Sequence, residues 1–114
     1  MADGTARLLE EHEAVSELFR TLGSPVRVAV VTLLSEGEMC VHELVDALAL
    51  PQPLVSQHLR VLREAHLVTR TRRGREVAYV LGDHHVAHIV ADARTHAVEQ
   101  APAVLDDDPH EPPA

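Results

Sequence analysis

Residues 51–81 read PQPLVSQHLRVLREAHLVTRTRRGREVAYVL, and two hydrophobic periods meet inside them. The first half repeats as a helix. Leu54, Val55, Leu59 and Leu62 share one face, while Gln52, Ser56, Arg60 and Arg63 share the other. Pro51 and Pro53 mark its start, where a missing N–H costs little. The second half reads as strand, turn, strand, with the turn at Arg73-Gly74 and alternation in Val77, Tyr79 and Leu81. An amphipathic helix therefore runs straight into an Arg-tipped hairpin.

The flanks extend the pattern. Cys40 to Leu48 reads as a short helix with Glu43 three residues after Cys40, in the position of a capping box. Glu36-Gly37-Glu38 breaks the chain before it. The β-branched run after Pro25 would suit a buried strand, but Ser24-Pro25 supplies an N-cap and N1, and a short buried helix is expected. Residues 6–22 have helical spacing in Leu8, Leu9, Val15, Leu18, Phe19 and Leu22, ended by Gly23. Downstream, Gly82-Asp83 stops the hairpin, and Asp83 can cap a helix running to about Gln100. This order predicts a mainly α fold with a small β-hairpin wing, a winged helix-turn-helix, over residues 1–105. Residues 106–114 are acidic and Pro-rich, and a mobile tail is expected there.

Composition narrows the class. The chain has 114 residues, 46% hydrophobic but only 2% aromatic, so its core must be Leu, Val and Ala. Such a modest core leaves room for a second copy to supply burial. The single cysteine, Cys40, excludes an internal disulfide. No apolar run approaches the roughly 18 residues of a membrane span and no secretory leader is visible, so a cytoplasmic protein without a membrane partner is expected.

Net charge is −8, which by itself argues against a nucleic-acid partner. The distribution argues for one. There is no lysine, and six of the ten arginines (Arg60, Arg63, Arg70, Arg72, Arg73, Arg75) fall within 51–82 against Glu64 and Glu76. Six positive less two negative makes that segment +4 and the remainder −12. The local field decides which face meets phosphate. In a winged helix, Gln52 and Ser56 stand near the helix end that meets base edges, with Gln57 and His58 within reach of the groove. Arg60, Arg63, Arg73 and Arg75 can neutralise phosphates on either side. The competing reading is a helical domain with a solvated Arg-rich hairpin.

Residues 83–99, DHHVAHIVADARTHAVE, hold four of the nine histidines. His85 and His96 are 11 apart, which puts them within about 20° of one helical face yet roughly 16 Å apart along the axis. No zinc ion with bonds of about 2 Å reaches both within one chain. A two-fold axis resolves the spacing. With a second copy of the helix antiparallel, His85 faces the partner's His96, and Asp83 faces the partner's Glu99. Two identical sites per dimer follow, each with four N/O donors and no open position, which suits a structural or sensing Zn²⁺. Cobalt and nickel fit the same donors. Taken singly, Asp83 reads as an N-cap, Glu99 as a solvated charge, His84 as a surface residue, and His88 as a neighbour of the site or an alternative ligand. A zinc hydrolase would need an open coordination position and a general base beside it, and the pattern offers neither. No enzyme is expected.

These segments together resemble the ArsR/SmtB family of metal-sensing repressors over roughly residues 13–100. The likeness lies in LFRTLGSPVR (18–27), EMCVHEL (38–44), QPLVSQHLRVLR (52–63), GREVAYVL (74–81) and the D-x-H-x10-H-x2-E pattern of 83–99. It implies a homodimer joined through its N- and C-terminal helices, which binds a palindromic operator when metal-free and is released by zinc, or less often cobalt or nickel. It also implies that Asp83, His85, His96 and Glu99 are the metal ligands and that Gln52 and Ser56 contact the groove. Pro53 stands where the family commonly has a serine, which removes one hydroxyl contact. The backbone carbonyl of His66 matches an acceptor for the ligating histidine at 96. Cys40 matches a second metal position of the family. Cys40-Val41-His42 lacks the Cys-x-Cys of soft-metal sensors, and a second set of Cys40, His42, Glu43 and His12 stands against a merely buried Cys40 and a surface His42. The alternative for the whole chain is a metal-independent winged-helix repressor.

Overall fold

The computed structural model describes residues 2–100. The expected tail at 106–114 lies outside them. Five helices and three strands follow in the order α1 (Ala2–Thr21), α2 (Pro25–Leu34), β1 (Met39–Cys40), α3 (Val41–Leu48), α4 (Gln52–Glu64), β2 (Val68–Arg73), β3 (Glu76–Leu81) and α5 (His84–Gln100). The strands form one antiparallel sheet in the order β1-β3-β2. This is the winged helix-turn-helix expected.

Local chemistry sets most boundaries. Ser24 caps α2, its hydroxyl accepting from the Arg27 N–H at 3.3 Å, with Pro25 in the first turn. The Val-rich run after it is helical rather than extended because Val30, Val31 and Leu34 are all buried in the core from one helical face. Burial of each is worth about 1.5–3 kcal/mol, more than the intrinsic reluctance of valine to be helical. Ala49 ends α3 in a left-handed conformation (φ 56°), and its N–H donates to Val45 O at 2.8 Å. After Pro51, α4 buries Val55, Leu59 and Leu62, whereas Leu54 stays 37% exposed at the outer edge of that face.

The end of α4 fixes the start of the wing. His66 takes the left-handed position (φ 63°) that glycine usually fills. Its N–H donates to Arg63 O at 3.0 Å, and the Leu67 N–H reaches back to Leu62 O at 2.9 Å. That closure points β2 away from the helix. The hairpin turn lies at Gly74-Arg75, one residue later than expected, because Arg73 pairs with Glu76 in the ladder. Gly74 (φ 65°) is the first central residue of a two-residue turn, the place where glycine is favoured. The alternation expected in β3 is shifted as well. Ala78 is the buried residue, Tyr79 and Leu81 pack at the core's margin, and Val77 is 38% exposed.

Two features escape the sequence pattern. β1 is only two residues long, too short for a periodic signal. The other is a close approach. Gly82 donates its N–H to Leu67 O at 2.8 Å, and a Cβ on Gly82 would stand 2.9 Å from His66 O. The end of the α4 cap and the entry to α5 are thus in backbone contact. Gly82→Ala should destabilise the fold by about 1–3 kcal/mol through this overpacking, measured as a lower urea midpoint with an unchanged slope.

Candidate functional site

The exposed face of α4 carries Gln52, Ser56, Gln57 and Arg60, with Arg63 half-buried at its end. Its opposite face is held by Val55, Leu59 and Leu62, so the polar face can only point outward. Arg75, Arg70 and Arg72 are exposed on the wing. The exposed α4 face thus carries hydrogen-bonding side chains, and the hairpin that follows it in the chain carries guanidinium groups.

Two residues grouped with this surface are engaged elsewhere. His58 is half-buried, and its Nδ1 accepts from Arg27 Nε at 3.2 Å. A guanidinium only donates, so this contact requires the neutral imidazole with its proton on Nε2. Burial, then the Arg27 charge, holds His58 below the ordinary histidine pKa. Arg27 also donates to Thr21 O at 2.9 Å, joining α1, α2 and α4. Arg73 in turn donates to Glu43 Oε1 at 2.6 Å and lies 3.9 Å from Glu38. It ties the wing to α3 instead of standing free beside Arg75.

Glu43 is central to that tie. Its Oε1 also accepts the Cys40 N–H at 2.8 Å, the capping-box half expected from the sequence. The Cys40 bond first, then Arg73, holds the Glu43 carboxyl below the usual glutamate range. Both partners take the same oxygen, and Glu43 is not among the donors that converge with Cys40 and His42. His12 does not join them either. Its Nδ1 lies 2.7 Å from Leu8 O on α1. Among the described residues the donors that converge are Cys40, His42 and Glu76, with all three ligand atoms within 4.8 Å of one another. Glu76 was not singled out in the sequence. Only the pairing of β1 with β3 brings it to Cys40.

On α5, Asp83 caps the helix. Its Oδ1 accepts from the His85 N–H at 2.8 Å and the Val86 N–H at 3.3 Å, and lies 3.5 Å from His85 Nδ1. The His84 ring stacks on His85 with centroids 4.5 Å apart and meets His88 edge-on at 5.5 Å. His96 and Glu99 are exposed near the far end of the helix. The aspartate and two histidines with one glutamate offer oxygen and nitrogen donors suited to a divalent ion such as zinc. Within one chain they form two separate groups. The His66 carbonyl lies against Gly82 at the entry to α5.

Residues 24–70 match the family described as bacterial regulatory protein, arsR family. The "HTH-type transcriptional repressor SmtB" of Mycobacterium tuberculosis is 61% identical over 89 residues, or 78% of this chain and 66% of that protein. The match thus spans just under two thirds of that relative. The "HTH-type transcriptional regulator KmtR" of the same organism is 41% identical over 79% of this chain and 69% of its own length. Among solved structures, the transcriptional repressor BigR from Xylella fastidiosa superposes with a TM-score of 0.71 at 34% identity, covering 80% of this chain and 93% of that one.

The Arg27–His58 contact makes stability depend on pH. The folded pKa of His58 is depressed, so its contribution is fully present above the unfolded value near 6.5 and is lost as pH falls through the folded value. The urea midpoint should therefore drop as pH falls below about 7, and His58→Gln should flatten part of that drop.

Proposed function

The chain belongs to the ArsR/SmtB family of winged-helix transcriptional regulators, and from this we propose that it is a homodimeric, metal-responsive repressor that binds operator DNA when metal-free. The observation that carries the reading is the exposed α4 face with the arginine-bearing wing beside it, on a chain whose net charge is −8. Gln52, Ser56 and Gln57 meet base edges, and Arg60, Arg63 and Arg75 meet phosphates on either side. The matched relatives are named as transcriptional regulators rather than enzymes.

Dimerisation is supported by the apolar surface of α1 and α5. Leu9 is 60% exposed, Phe19 57% and Val98 61%. Between these helices and α2 lies an open groove of about 300 Å³ lined by Phe19, Leu22, Val28, Ile89 and Val90. Three large side chains left in water on two neighbouring helices favour burial against a second copy. That pairing would bring Asp83 and His85 to the partner's His96 and the partner's Glu99. A bound Zn²⁺ would supply a link between chains there, and Co²⁺ or Ni²⁺ would suit the same donors. The chain's own part is transmission. The Gly82 contact with His66 and Leu67 joins the start of α5 to the end of α4, so a shift of α5 changes where the reading helices stand. No helix of the described residues is long and apolar enough to cross a membrane.

The test uses a duplex enriched from a random-sequence pool by the metal-free protein, followed by fluorescence anisotropy. Zinc should weaken binding about 5- to 150-fold, the usual range of allosteric coupling, and His96→Ala should lose most of that response. Equal binding with and without zinc would leave the metal-independent reading. Arg75→Ala should reduce the salt slope by about 0.9. Gln52→Ala should cost about 1–3 kcal/mol and relax discrimination at one base pair.

A further inference from the structure

The outer strand of the wing is tied to the body by charge at one residue. From Arg70 onward the exposure of β2 alternates, with Arg70 and Arg72 exposed and Thr71 and Arg73 half-buried. Successive side chains of a strand point to opposite faces, so the ladder that pairs Arg73 with Glu76 turns the Arg73 guanidinium back toward the body. There it donates to Glu43 Oε1 at 2.6 Å and lies 3.9 Å from Glu38. Among the described residues no other side chain of β2 forms an ion pair. β2 is the edge of the sheet, with β3 as its one ladder partner. Glu43 is the fixed side of the tie. It lies in the first turn of α3, next to the fully buried Leu44, and its Oε1 also accepts the Cys40 N–H at 2.8 Å. Only Ala49, Leu50 and Pro51 separate α3 from α4. One carboxylate thus relates the turn end of the wing to the pair of helices that ends in α4.

We propose that Glu43 and Arg73 are positioning residues for DNA binding, a latch that fixes where Arg75 stands relative to the exposed face of α4. The role rests on the DNA-binding reading above. In it the Arg73 charge is directed to Glu43 rather than to phosphate, and Arg75, two residues further on, makes the phosphate contact. Charge alone predicts the opposite sign for Glu43. A carboxylate near a face that meets a polyanion repels it, so its removal would tighten binding and release Arg73 to a phosphate. A latch predicts a loss, because a wing that is not held in place must be ordered when DNA binds.

Fluorescence anisotropy of the metal-free full-length chain, on the duplex enriched by wild type, tests this. Glu43→Gln leaves an amide oxygen for the Cys40 N–H, as a capping box allows, and removes the charge that holds Arg73. It should weaken binding about two- to fivefold, the range of a half-exposed ion pair. Arg73→Gln should weaken it equally, and the double variant should bind no more weakly than either single one. Arg75→Ala should cost less affinity in the Glu43→Gln background than in wild type, a coupling that a general loss of stability would not produce. Tighter binding by Glu43→Gln, additive losses in the double variant, or an equal cost of Arg75→Ala in both backgrounds would each overturn the positioning role and leave DNA binding standing. A wild type that enriches no duplex would overturn the DNA-binding reading and this role with it.

Discussion

The burial of Val55, Leu59 and Leu62 on one face of α4 is the constraint from which the rest follows. A core without aromatic residues has little area to spare, and no charged or polar residue is buried among the described residues. Each of the three leucine and valine side chains stabilises the docked helix by about 1.5–3 kcal/mol. Once that face is committed, Gln52, Ser56, Gln57 and Arg60 have no alternative but solvent. A polar, exposed helix face is thus the by-product of a packing requirement, held rigid because its reverse side is core.

From α4 the order passes through backbone geometry rather than side chains. His66 accepts a left-handed conformation in a position where glycine is common, and this closure aims β2. The same turn presents its carbonyl to Gly82, where a side chain does not fit. Helix α4 and the helix that carries Asp83, His85, His96 and Glu99 therefore share one tight junction. Tight junctions of this kind transmit displacement because packed interiors do not deform continuously.

Glu43 shows how a single carboxylate can divide roles among its neighbours. By accepting from both the Cys40 N–H and Arg73, it caps α3 and draws an arginine of the wing away from solvent. Arg73 thereby becomes a strut between α3 and the hairpin, while Arg75 at the turn stays exposed, as Arg70 and Arg72 do. It also leaves the Cys40 thiol to face Glu76. The charge count along the chain treats Arg73 and Arg75 as equivalent, and geometry separates them.

Much of this was legible in the sequence because it rests on local chemistry. Ser24-Pro25, the Cys40–Glu43 spacing, the faces of α4 and the Asp83 cap each arise from residues within a turn or two of one another. The resemblance carried by D-x-H-x10-H-x2-E likewise needs only spacing along one helix. Pairings distant in sequence were not legible. His58 was grouped with the groove-facing residues, but Arg27, 31 positions earlier, engages it. Glu76 was passed over because its approach to Cys40 depends on a two-residue strand, and the turn slipped by one because register is a property of two strands together. The sequence by itself determined which helices form and which faces they bury, since periodicity and capping act over a few residues, whereas β1 and the buried face of β3 were not legible in it. Only the tertiary structure decided which polar side chains meet, because those contacts depend on how the elements dock.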